Sequence, residues 1–346
     1  MSVSESTFNS AFIRWSMSGI IILSSLMVGC TGASTKTVDS EHEDHSAEGG
    51  EAFGAILVDP DDLQPADLDQ GEKLRVVATT SIIADVLANV GGEDIEVTSL
   101  LAIDTDPHAY EPAPQDLKAI SEAHVVMING LGLEASLEGA LTNAAGDVPF
   151  LSLSEEIEAR TLGSDDDHLG GEDPHVWFDP LIVILWVDRA ATAFSALDPA
   201  GTEDYQERSE EYQAQLGELD LWIQEQVGGL RQENRLLLTD HLVFGYFADR
   251  YGFEMLGAVI PTFSSATEPS AREIAELEEK ISTFDVPAIF VGSTFSPVLA
   301  NRVAEDTGVL LVPLFTGSLS EPEGPAGNYL DFMRYNVSAI VGALSQ

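Results

Sequence analysis

Three of the chain's seven histidines sit in matched surroundings: His108 in Asp106-Pro107-His108-Ala109-Tyr110-Glu111-Pro112, His175 in Asp173-Pro174-His175-Val176-Trp177-Phe178-Asp179-Pro180, and His241 in Thr239-Asp240-His241. Neutral imidazole is the commonest protein ligand for a transition metal, and a carboxylate beside it can accept the second ring N–H and so fix the tautomer. Asp106, Asp173, Asp179 and Asp240 are the candidates for that supporting role, against the alternative that they are turn acids facing solvent. A lone histidine in such a turn reads more simply as a residue bonded to nearby backbone; three in Asp-containing contexts point to a metal. The prolines beside His108 and His175 restrict their turns and reduce the entropy lost in holding each ring. The separations, 175 − 108 = 67 and 241 − 175 = 66 residues, exclude a local finger. The fold must bring the three together, and a metal held between them would clamp its parts.

The other histidines carry less. His124 reads as a strand-edge residue, His42 and His45 fall in an acidic polar stretch, and His168 stands in the acidic segment 164–172, a solvated loop or a weak cation trap. The one cysteine, Cys30, excludes an intramolecular disulfide and a cysteine-based zinc site. Its setting explains it better. Ile13-Arg14-Trp15 leads into an apolar run from Met17 to Val28 that ends Leu26-Met27-Val28-Gly29-Cys30, which resembles a bacterial-type lipoprotein signal. The run is shorter than the roughly 20 residues that span a bilayer. Cleavage before Cys30 and a lipid on its sulfur would leave the protein extracytoplasmic and anchored to the cell membrane.

The elements that must position the histidines alternate in type. Leu74–Thr80 is apolar and β-branched, and the helical spacing of Ile82, Ile83, Val86, Leu87 and Val90 follows, with Ser81 a plausible cap. Strands are expected at 95–101 and 125–128 and helices at 115–123 and 135–144. A helix to about Leu197 follows Asp179-Pro180, and a second runs from Glu203 to Val227 with Tyr205, Tyr212, Leu216, Leu219, Ile223 and Val227 apolar. The pattern then restarts: strands at 236–239, 254–259, 288–291 and 309–313, with helices at 243–251, 270–283, 297–307 and 329–344. This predicts an α/β fold of two lobes, each a parallel sheet flanked by helices, joined by one long bridging helix. The divisions expected are a signal peptide over 1–29, a flexible acidic tether over 30–71, an N-terminal lobe over 72–201, the bridging helix over 202–229 and a C-terminal lobe over 230–346. His241, just after a strand, would point into a cleft at the sheet's C-terminal edge.

The charge balance, 15 − 59 = −44 with histidine neutral, leaves no cationic face for nucleic acid. No phosphate-binding glycine loop is present in the sequence. Such acidity suits a saline habitat, or else reflects acidic loops that solvent tolerates. Screening of self-repulsion predicts that stability rises from low to molar salt. Chemical unfolding at both salt concentrations checks this, and equal stability would defeat the saline reading.

Together with the three histidine motifs, Val76-Val77-Ala78-Thr79-Thr80-Ser81-Ile82, Asn129-Gly130-Leu131-Gly132-Leu133-Glu134, His241-Leu242-Val243-Phe244-Gly245-Tyr246-Phe247, Thr267-Glu268-Pro269-Ser270 and Tyr329-Leu330-Asp331-Phe332-Met333-Arg334-Tyr335-Asn336 occur in an order that resembles the zinc- and manganese-type metal-binding lipoproteins of ABC importers. The resemblance covers residues 73 to 345. It implies that His108 and His175 from the first lobe and His241 from the second are metal ligands. Many members place an aspartate as fourth ligand where this chain has Gly317, so that water, Ser318 or a nearby carboxylate would complete the sphere. Three imidazoles without an assured carboxylate suit Zn2+ over Mn2+, which prefers more oxygen ligands. The implied partners are a membrane permease and its ATPase, with the protein itself a monomer. Two other readings stay open: a surface adhesin with a structural metal, and a zinc hydrolase, for which no HExxH or comparable signature is present. No enzymatic role is expected.

Overall fold

Val125-Val126-Met127-Ile128 is apolar and buried at every position, as a strand covered on both faces must be. It is β3 of a four-stranded parallel sheet with β1 (Leu74–Ala78), β2 (Ile95–Ser99) and β4 (Phe150–Ser152), in the order β2-β1-β3-β4. The computed structural model describes residues 57–161, 171–265, 267–296 and 298–345. Cys30 with its leader, His42 and His45 in the tether, and His168 lie outside the described residues. A second parallel sheet repeats the same order four strands on, β6-β5-β7-β8, from β5 (Leu236–His241), β6 (Glu254–Ile260), β7 (Ala288–Gly292) and β8 (Leu310–Leu314).

Helices cross between these strands. The first lobe holds α1 (Ser81–Gly91), α2 (Pro114–Glu122), α3 (Glu138–Ala145) and α4 (Pro180–Leu197). Then comes α5 (Thr202–Gly228), followed in the second lobe by α6 (Gly245–Tyr251), α7 (Ala271–Phe284), α8 (Val298–Thr307) and α9 (Tyr329–Leu344). The 27 residues of α5 extend about 40 Å at 1.5 Å per residue. Its six predicted apolar positions are all buried, and it packs on α1 and α4 of one lobe and on α6 and α9 of the other. One helix therefore spans both lobes.

Beneath the cleft the lobes share aromatic packing. Phe178 lies 4.3 Å from Phe244 and 5.6 Å from Phe332 between ring centroids, which joins the turn after His175, the segment after His241 and α9. Burying each such ring contributes on the order of 1.5–3 kcal/mol. Trp177 donates its indole N–H to the Thr316 carbonyl at 2.9 Å, and Tyr329 donates its hydroxyl to the Trp177 carbonyl at 2.8 Å. The histidines thus stand on a rigid floor.

Several local expectations differ from the structure. The cap of α1 is Thr80, which accepts from Ile83 N, and Ser81 is already helical. The third helix begins at Glu138, not Ala135, because the chain before it winds around Glu134, whose carboxylate accepts the Asn129 and Gly130 amides, with Leu131 at φ 52°. Strand β4 was not foreseen; three residues show no readable alternation. His241 is the last residue of β5, not a residue beyond it. The stretch read as tether to residue 71 is not free over its whole length. Leu57 pairs with Phe150, Leu63 is buried and Ala66 N donates to the Leu197 carbonyl, so the chain lies on the first lobe from residue 57.

Candidate metal centre

In open parallel sheets, ligands collect where adjacent strands send their crossovers to opposite sides. In both sheets this point lies beside the central pair, β1/β3 and β5/β7. His241 ends β5, His108 lies in the loop after β2 and His175 in the turn before α4. The structure brings all three together: one ligand nitrogen from each lies within 4.8 Å of the others. Ring centroids are 5.4 Å (His108–His175), 5.6 Å (His108–His241) and 5.2 Å (His175–His241) apart. Nε2 of His108 and Nε2 of His175 stand at 3.3 Å. His175 and His241 are 1% and 6% exposed, and His108 is half-buried.

Two of the four supporting aspartates hold a ring. Asp173 Oδ1 accepts from the His175 backbone N–H at 3.1 Å and stands 2.8 Å from its Nδ1. Asp240 Oδ1 does the same for His241, at 2.6 and 2.8 Å, while its Oδ2 accepts Gly292 N–H at 2.6 Å. Both carboxylates are fully buried, so each is pinned, and with the proton on Nδ1 each ring turns Nε2 to the centre. Gly292 permits this closeness: a Cβ there would stand 2.1 Å from Thr316 Oγ1 and 3.0 Å from Asp240 Oδ2.

The other two aspartates do different work. Asp106 Oδ1 accepts the His108 backbone N–H at 3.0 Å, and its Oδ2 accepts from the Ser265 hydroxyl, which ties the loop to the second lobe. It repeats the turn of Asp173 without reaching the ring. Asp179 caps α4, accepting from Leu181 N, and lies 3.3 Å from Arg250. Neither expectation of a ring partner holds for these two. Among the described residues no carboxylate is paired with the His108 ring.

Ser318 is not aimed at the centre either. Its hydroxyl accepts from Asp104 N at 3.0 Å and donates to the Leu319 carbonyl at 2.9 Å. Gly317 does line the site, but a Cβ there would lie 2.7 Å from Pro107 Cδ, so the loop sits directly against the residue before His108. Trp177 is a further residue of the site, one that the pattern of histidines does not mark. Its ring meets His175 edge-on at 5.2 Å, and its place two residues along the same motif was the available signal. The void enclosed by the three rings, Asp106, Trp177 and Gly317 is about 10 Å³, on the scale of about one small probe sphere and too small for an organic substrate. Larger surface grooves of about 610 Å³ beside Asp188 and Gln213 and about 540 Å³ beside Asp285 and Asp306 contain no histidine.

Burial pushes the His108 ring well below the ordinary histidine range, and the neighbouring rings add to this. Burial also lowers His175, in part offset by Asp173. At His241 burial again pulls downward, but Asp240, with Asp106 and Asp173 behind it, outweighs it and leaves the ring raised. A proton on Nε2 competes with a metal for the same lone pair. As pH falls, competition therefore begins at His241, above the usual range, and reaches His175 below it and His108 well below it. Affinity for a divalent metal ion is expected to fall about tenfold per pH unit through this first step and more steeply afterwards. Chelator competition at stepped pH measures it; a flat profile through the histidine range would exclude imidazole ligation.

The family model for zinc-uptake complex component A, periplasmic (ZnuA), matches residues 76–343. The manganese-binding lipoprotein MntA of Halalkalibacterium halodurans is 34% identical over 279 residues, 80% of this chain and 91% of its own. The manganese ABC transporter substrate-binding lipoprotein PsaA of Streptococcus mitis is 32% identical over 289 residues, with 81% and 92% covered. Among solved structures, the periplasmic zinc binding protein TroA from Treponema pallidum superposes with a TM-score of 0.74 at 29% identity, covering 79% of this chain and 100% of TroA. The manganese-bound periplasmic metal binding protein from Candidatus Liberibacter asiaticus gives 0.71 at 26%, with the same coverage. The chain therefore belongs to the ZnuA family, the metal-binding lipoproteins that serve ABC importers as substrate-binding components.

Proposed function

We propose that this protein captures one divalent transition metal ion between His108, His175 and His241, zinc in preference to manganese, and delivers it to a membrane permease driven by an ATPase. The observation that carries the choice of metal is the donor set: three imidazole nitrogens converge with no carboxylate oxygen in their cluster among the described residues. Zinc is satisfied by three nitrogens and a fourth light ligand, whereas manganese favours more oxygens. The spacing agrees. Nitrogens on two corners of a tetrahedral ion with bonds of about 2.0–2.1 Å stand roughly 3.3 Å apart, the separation of the His108 and His175 Nε2 atoms.

In the cycle this supports, His108 and His175 wait on the first lobe, His241 completes the set from the second as the lobes meet, and the ion loses most of its water in a void that holds little else. The manganese in the names of MntA and PsaA supports the competing preference. Family membership supports transport over the hydrolase and adhesin readings. Lipid attachment at Cys30, with an extracytoplasmic place at the membrane, is part of the same proposal and is supported by the relatives' description as lipoproteins. Equilibrating the metal-stripped protein with equal zinc and manganese and analysing the recovered protein for both elements tests the preference. One equivalent of zinc is expected, and one of manganese would reverse it.

A further inference from the structure

Arg160 lies on the first lobe, beyond β4, and its guanidinium reaches two ways. Nη1 donates to Asp173 Oδ2 at 3.1 Å, and Nε donates to Asp249 Oδ2 at 2.6 Å. Asp173 is the carboxylate whose other oxygen faces the His175 ring. Asp249 belongs to α6, the helix that begins at Gly245, just past His241. The backbone joins in: Arg160 N–H donates to the Tyr246 hydroxyl at 3.0 Å, that hydroxyl donates to the Asp173 carbonyl at 3.0 Å, and Asp173 N–H donates to the Arg160 carbonyl at 2.8 Å. Gly245 makes the room. A Cβ at that position would stand 1.7 Å from Arg160 Nη1 and 2.5 Å from Asp173 Oδ2, so only a residue without a side chain lets the guanidinium lie against the start of α6.

We infer that Arg160 is a positioning residue for metal capture: it fixes the free oxygen of Asp173, and so the orientation of His175, and fastens that assembly to the helix that continues from His241. One planar fork then sets the separation of two ligands that come from different lobes. Arginine suits this because its donors are held in a rigid plane and can serve two carboxylates at once, whereas lysine offers a single point. The Arg160 side chain is 31% exposed, so solvent screens its ion pairs and its contribution is one of geometry more than of stability.

The inference rests on the proposed metal site, and its test separates the two. In the full chain, stripped with a chelator, Arg160→Met, Arg160→Lys and Gly245→Ala are compared with wild type for zinc affinity, by chelator competition, and for the visible spectrum of the cobalt(II) form. Arg160→Met and Gly245→Ala are each expected to weaken zinc about tenfold or more, the scale on which outer-sphere partners act, and to shift the cobalt bands; Arg160→Lys restores only part. Arg160→Met is the decisive variant, since it removes the fork alone, whereas Gly245→Ala keeps every charge but also brings a Cβ within 2.5 Å of Asp173 Oδ2 itself. A merely structural Arg160 would leave the cobalt spectrum of Arg160→Met unmoved. Zinc affinity and cobalt bands indistinguishable from wild type in Arg160→Met would overturn the inference alone. A wild-type protein that binds no zinc would overturn the metal-site proposal and this inference with it.

Discussion

Replacing His175 with alanine is expected to remove the proposed metal site and leave a folded protein. The ring supplies one of three converging nitrogens, so its loss exceeds the roughly 10–100-fold that removal of an outer partner costs. The fold tolerates the change because Asp173 stays partnered: its Oδ1 still accepts the backbone N–H at position 175 and its Oδ2 still accepts from Arg160. The same holds for His241→Ala, where Asp240 keeps two backbone donors, its own neighbour and Gly292. Calorimetric titration should therefore show no tight zinc site in either variant, while the unfolding of the metal-free forms stays close to wild type. A variant that keeps wild-type zinc affinity would remove its histidine from the site.

Zinc should also raise the unfolding temperature strongly, because its proposed ligands come from both lobes and the unfolded chain holds them 67 and 66 residues apart in sequence. An ion bound by the folded state alone, at a thousandfold excess over Kd, adds about 4 kcal/mol. For a chain of this size that corresponds to on the order of 8 °C in Tm. Calorimetry of the metal-free protein with increasing zinc measures the rise, and manganese at the same concentrations is expected to give a smaller one. A Tm that does not respond to zinc would mean that the folded protein does not bind the ion in preference to the unfolded chain, which would contradict the proposed site.

Much of this was legible in the residues, and the part that was not has a physical reason. Buried parallel strands announce themselves as apolar runs, so Val125–Ile128 and the stripe along α5 were readable, as was the restart of the α/β pattern at Leu236. The three histidines stood out because each is tied to a nearby aspartate. What the aspartates do was not readable, since Asp106 and Asp173 make the same two-residue turn in the same Asp-Pro-His context. Only the path of the chain afterwards decides that one reaches its ring and the other a serine in the opposite lobe. Asp179 was drawn away by the helix start that it caps. Arg160 had no motif at all, because Asp173 meets it from 13 residues away within the first lobe and Asp249 is brought to it only by the meeting of the lobes. Ser318 reads as a ligand until the loop geometry turns its hydroxyl to Asp104 and Leu319.

The most direct test of the central claim is anomalous diffraction at the zinc edge from crystals of the zinc-loaded protein. The account predicts one dominant peak in the cleft, within about 2.0–2.1 Å of Nε2 of His108, His175 and His241, with Asp173 and Asp240 still on the Nδ1 atoms. A dominant peak elsewhere, or a zinc ion in the cleft that any of the three rings fails to touch, would contradict it.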